Sequence, residues 1–104
     1  MADIGEMRKA LVKRIREGAG EASAADRQAA FDDSGLSGAR GVLADKVARQ
    51  PYRVTDEDIR NAIASGMSED QVFELVVCAA VGQANRQYEA AMAALEAASG
   101  RSER

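Results

Sequence analysis

The sequence predicts an all-α fold: a bundle of about five helices closed by one long C-terminal helix. Three observations carry this. No stretch of the 104 residues alternates apolar and polar side chains as a half-buried strand would. Two helix starts of the same form, at Thr55 and Ser68, flank a sharp stop at Gly66. From Glu69 onward no proline or turn cluster appears until Ser99-Gly100. The expected organisation is a frayed N-terminus over residues 1–5, one all-α domain over 6–98 centred on a helical hairpin at 55–98, and a disordered tail over 99–104.

The first helix is expected from about Glu6 to Glu17. Ile4, Met7, Leu11 and Ile15 fall on one stripe, and Arg8, Lys9, Lys13, Arg14 and Arg16 crowd much of the remainder. The direct reading is a core-facing apolar stripe with a solvated basic face opposite. After Gly18 and Gly20, a short helix should cover Ala22 to Phe31, ended by the turn signal Asp32-Asp33-Ser34-Gly35. Gly35, Gly38 and Gly41 recur at a spacing of three, but no strand precedes them and no lysine follows in the position a phosphate-binding loop requires. They read as turn chemistry or as points of close helix contact. A third helix from about Ala39 to Arg49 should turn Val42, Leu43 and Val47 inward and end at Pro51.

The hairpin follows. Thr55 with Asp58 forms a short capping box, Val54 and Ile59 have the spacing of a hydrophobic staple, and Asp56, Glu57 and Asp58 favour the positive end of the helix dipole. Gly66 supplies the left-handed stop. Ser68 with Gln71, and Met67 with Val72, repeat the same grammar immediately. The helix that starts there has room for about thirty residues, roughly 45 Å at 1.5 Å per residue. A compact chain of this length has a radius of gyration near ~13 Å, so the helix should either outrun its domain or break near Gly82. Val72 to Val81 is apolar on nearly every side, the mark of a buried helix. The alanines from Ala90 to Ala98 make its far end narrow, which suits a helix–helix seam between subunits.

Composition narrows the function. Hydrophobic residues make up 46% of the chain but aromatics only 4%, so alanine carries much of the apolar content and each residue buries little area. That points to a core completed by another copy, and a homo-oligomer is the expected partner state, with an unknown protein or small molecule as a further partner. A net charge of −3 argues against nucleic acid. No apolar run approaches the ~20 residues of a membrane span and no early run resembles a signal peptide, so a cytoplasmic location is expected. The single cysteine excludes an internal disulfide. The absence of histidine removes the commonest general base and metal ligand, and no cofactor or metal site is expected.

Within the apolar run Glu74 is the only charge, and Cys78 lies one turn further along on the same face. A carboxylate beside a thiol in a dry pocket is a candidate catalytic pair, while the structural alternative is a Glu–Arg pair with an inert cysteine. Arg53, Arg60 and Arg86 are the candidate pairing residues, and Tyr52, Arg60 and Arg86 are candidates for ligand contact.

The run from Asp45 to Leu95, DKVARQPYRVTDEDIRNAIASGMSEDQVFELVVCAAVGQANRQYEAAMAAL, resembles the carboxymuconolactone decarboxylase and AhpD-like (alkylhydroperoxidase) superfamily in its cadence. That is a helix, then A-S-G-M-S-E-D, then an apolar helix bearing a glutamate. The resemblance implies an all-α, usually oligomeric fold in which neighbouring subunits complete the core. The family's peroxidases use a CxxC dithiol, a histidine and an upstream glutamate. Those slots fall here on Pro51, Val54, Asp58 and near Ala39, so none of that chemistry carries over. Three functions follow as expectations. The first is a non-catalytic AhpD-like domain acting as an oligomeric interaction or small-ligand-binding module. The second is a decarboxylase-like enzyme using Glu74 as acid or base with Cys78, Tyr52, Tyr88 or Arg86 near it. The third is a helix-turn-helix DNA binder, suggested by the spacing of Ala62, Gly66 and Val72 and opposed by Glu69, Asp70 and Glu74 on its recognition helix.

Overall fold

The computed structural model describes residues 3–100, so residues 1–2 of the expected frayed start and 101–104 of the expected tail lie outside the described residues. The chain forms helices α1 (Ile4–Glu17), α2 (Ala24–Asp32), α3 (Gly38–Arg49), a 3-10 turn (Pro51–Arg53), α4 (Asp56–Ala64) and α5 (Glu69–Ser99), with no strand among the described residues. The first helix starts two residues earlier than its pattern suggests, because Asp3 caps it, accepting from the Gly5 amide at 2.9 Å.

The hairpin has the expected caps. Thr55 accepts from the Asp58 amide at 3.3 Å while Asp58 accepts from the Thr55 amide at 2.9 Å. Ser68 and Gln71 do the same at 3.1 and 2.9 Å. Gly66 sits at φ +111°, a conformation that a side-chain-bearing residue adopts only with strain, and it lets the chain reverse within a few residues.

Helix α5 is the spine, and its 31 residues are continuous through Gly82. The reason it does not break is packing. The C-terminal end of α2 crosses α5 at this residue so closely that a Cβ on Gly82 would overlap the Phe31 carbonyl. Arg86, one turn on, donates to that same carbonyl at 2.5 Å and to Gln83 Oε1 at 2.8 Å, satisfying a backbone acceptor that the end of α2 leaves open. Around this crossing lies the core: Phe31 and Ala30 of α2, Leu43 and Ala44 of α3, Ala62 of α4, and Val72, Leu75, Cys78 and Ala79 of α5, with Met67 from the corner. Leu43, Leu75 and Cys78 are its fully enclosed side chains.

Several side chains face differently from the sequence reading. On α3 the inward stripe runs Leu43, Ala44, Val47 and Ala48, which puts Val42 outside it and leaves that residue exposed. Burial of Val72–Val81 on all sides does not occur: Phe73 is 68% exposed, because the other helices cover only part of the α5 circumference. The largest difference is α1. It meets the bundle through Val12 and Ile15 together with Arg8 and Arg16, and it turns Ile4, Met7 and Leu11 to solvent. Two cation–aromatic contacts set this rotation. The Arg8 guanidinium lies 4.7 Å from the Tyr88 ring centre and donates to Asn85, and that of Arg16 lies 5.1 Å from the Phe31 ring centre and donates to Gln28 at 3.2 Å. Arginine stems cover apolar surface while their heads find acceptors, so a basic face can dock where an aliphatic one was expected.

Beyond Tyr88 the spine leaves the bundle. The molecule measures 52 × 28 × 22 Å, and its radius of gyration of 15.8 Å exceeds the ~13 Å of a compact chain of this length.

Candidate functional site

The α1–α2 connection, residues 18–23, is held by the first turns of α5. Glu74 accepts from the backbone amides of Glu21 at 2.7 Å and Ala22 at 3.0 Å, and Gln71 donates to the Glu21 carbonyl at 3.2 Å. Gly20 passes so near that a Cβ there would overlap the Glu74 carboxylate. The connection thereby arches over α5 and leaves, between itself, the last turns of α1 and the face of α5, an open groove of about 560 Å³.

The groove's walls are mostly apolar: Leu11 and Ile15 of α1 face Phe73 and Val77 of α5. At one end sit Cys78, Arg27 and Arg14; towards the other lie Glu21 and Asp70, both exposed. Arg27 is only 7% exposed. Its Nη1 donates to the Ile15 carbonyl at 3.3 Å, and the Cys78 thiol approaches the same oxygen at 3.6 Å. That carbonyl belongs to the last turn of α1, where no intrahelical donor remains, so a guanidinium and a thiol replace one. The Arg27 Nε is buried without a hydrogen-bond partner, and Arg27 makes no ion pair among the described residues.

The two candidate catalytic residues therefore border one groove, but their chemistry is already committed. Both Glu74 oxygens accept backbone donors, and no arginine pairs with that carboxylate among the described residues. Burial pushes the Cys78 thiol above its ordinary pKa, with the nearby Glu74 charge acting in the same direction and Arg27 opposing, so at neutral pH the sulfur is a protonated thiol. The three ligand candidates lie elsewhere. Tyr52 projects from the 3-10 turn into solvent, Arg60 is exposed on α4, and Arg86 is occupied at the end of α2. Among the described residues no group of three or more Cys, Asp or Glu side chains is placed to hold a metal ion, and no helix is long and apolar enough to cross a membrane.

Asp58 has its own structural task. Lys46 donates to both of its oxygens at 3.0 Å, tying α3 to the start of α4. Arg27 is the site residue that sequence reasoning passed over. Its signal was available: a lone arginine among alanines on a thin helix, AADRQAAF, has little company on its own face.

Comparison with protein-family models, with curated proteins and with solved structures gives no match.

Proposed function

We propose that this chain is a non-catalytic, self-associating helical module of the AhpD-like type, in which a second copy covers the projecting end of α5 and the outer stripe of α1. The observation that carries the reading is where apolar surface is left uncovered. Ile4 is 75% exposed, Met7 59% and Leu95 51%, and from Ala90 to Ser99 every residue of α5 except Met92 is exposed. The contact of Arg8 with Asn85 and Tyr88 brings the first turns of α1 to where this part of α5 begins, so these side chains share one end of the molecule. An unpacked, alanine-rich helical end also lacks the tertiary packing from which most helical stability in proteins comes. The lack of histidine, the shielded thiol and the fully engaged Glu74 support a role without bond-making chemistry. The likeness of residues 45–95 to the AhpD-like superfamily fits a core shared between subunits.

Sedimentation velocity tests this. The wild-type chain should run as a dimer or larger at micromolar concentration, and Ile4→Glu with Leu95→Glu should run as a monomer with unchanged helical circular dichroism. A wild-type monomer across that range would remove the reading.

A further inference from the structure

We propose that the groove between α1, the 18–23 connection and α5 is a binding site for an amphipathic monocarboxylate, a medium-chain fatty acid in chemical class, with its head at Arg27 and its tail along Val77 and Phe73. The site goes beyond self-association, since it occupies the opposite end of α1 from Ile4 and the projecting end of α5.

Arg27 is the first ground. An arginine more than nine-tenths buried normally faces a carboxylate, because burying a charge without a counter-ion is costly. Here one nitrogen donates to the Ile15 carbonyl at 3.3 Å and no ion pair forms among the described residues; the Nε has no acceptor, as in Arg8 and Arg16, but those two guanidinium groups lie over the Tyr88 and Phe31 rings. A planar, five-donor group left in this state beside an open groove is matched by an incoming carboxylate. Arg14, exposed at the same end, adds a second positive charge.

The groove's shape is the second ground. Its volume of about 560 Å³ lies within the ~300–1,000 Å³ typical of small-molecule sites. It runs along α5 from Asp70 to Cys78, a rise of roughly 12 Å, which matches an extended chain of about ten carbons. Phe73, large and exposed, gains a partner when such a chain lies against it.

Three carboxylates also border the groove, and they fix the orientation. Both Glu74 oxygens are taken up by the Glu21 and Ala22 amides, and Glu21 and Asp70 stand at the end away from Arg27. A carboxylate head is repelled there and attracted at Arg27, so only one polarity of ligand fits.

The test is titration of the full chain with decanoate, followed by calorimetry and by amide and methyl NMR shifts, with decanol and decyltrimethylammonium as comparison probes. The expected result is saturable decanoate binding with shifts at Leu11, Ile15, Phe73, Val77 and Cys78, at least tenfold weaker binding of decanol, and none of the cation. Phe73→Ser, an exposed position that leaves the fold intact, should weaken decanoate at least fivefold, and Arg27→Met should bring decanoate down to the affinity of decanol. Equal affinity for decanoate and decanol, shifts confined to Ile4, Met7 and Leu95, or no saturable binding at millimolar decanoate would each overturn the proposal. Because the Ile4→Glu/Leu95→Glu monomer retains the groove, decanoate binding to that variant separates failure of this site from failure of self-association.

Discussion

Glu74 is worth following as a single side chain because its two oxygens do the work of a loop cap. It gathers the Glu21 and Ala22 amides, which would otherwise lack partners in a connection arched over a helix. Hydrogen bonds to a charged acceptor contribute more than neutral ones, so Glu74→Ala should destabilise the fold by about 2 kcal/mol in urea unfolding, with the helical content of the native state unchanged. Its neighbour Cys78 is shielded by the core and by the last turn of α1, and its thiol is held above the ordinary pKa range by burial. Thiol reagents at neutral pH should label it at the rate of global unfolding, and faster labelling in the native state would show an opening of α1 that the packing does not suggest. Asp58 gives a pH dependence with a definite sign. Hydrogen bonding from Lys46, then from the Thr55 amide, holds its carboxyl below the ordinary value, so its folded pKa is depressed. The stability it supplies is fully present above the unfolded pKa near ~3.9 and is lost as pH falls through the lower folded value. Asp58→Asn should therefore cost stability at pH 7 and cost less at pH 3, measured by chemical denaturation at both.

At the scale of the element, legibility followed the range of the forces involved. The caps at Thr55 and Ser68 and the stop at Gly66 depend on residues three or four apart, and the structure forms them where the sequence places them. The rotation of α1 depends on Tyr88, Asn85, Phe31 and Gln28, all far along the chain, and a stripe of Ile4, Met7, Leu11 and Ile15 carries no information about them. Periodicity finds a helix and its faces; it does not say which face a distant aromatic ring will take. The groove was legible only in part for the same reason. Glu74 and Cys78 stand out locally, whereas Arg27 acquires its place only when α2 folds against α1. Gly82 is the element-scale case of a glycine needed for contact rather than for a turn. Since its Cβ would overlap the Phe31 carbonyl, Gly82→Ala should force α2 off α5 and cost about 3 kcal/mol, despite alanine's better helix propensity. A stabilised Gly82→Ala protein in thermal melts would mean that α2 does not cross the spine there.

The whole molecule is a small bundle with a long handle. Its core relies on alanine and a few enclosed side chains, and the spine continues past the helices that cover it. The sequence foresaw the length of that spine and left open whether it would break; the Phe31–Gly82 crossing and Arg86 explain why it holds. What lies over the handle is a property of the assembly rather than of one chain's local pattern, and it defines the account's central claim. Amide hydrogen exchange measured over a range of protein concentrations addresses it most directly. If a second copy packs there, the amides of Ala90–Ser99 should be protected at high concentration and lose protection on dilution, while those around Leu75 and Ala79 remain protected throughout. Fast exchange across Ala90–Ser99 at every concentration would contradict the claim.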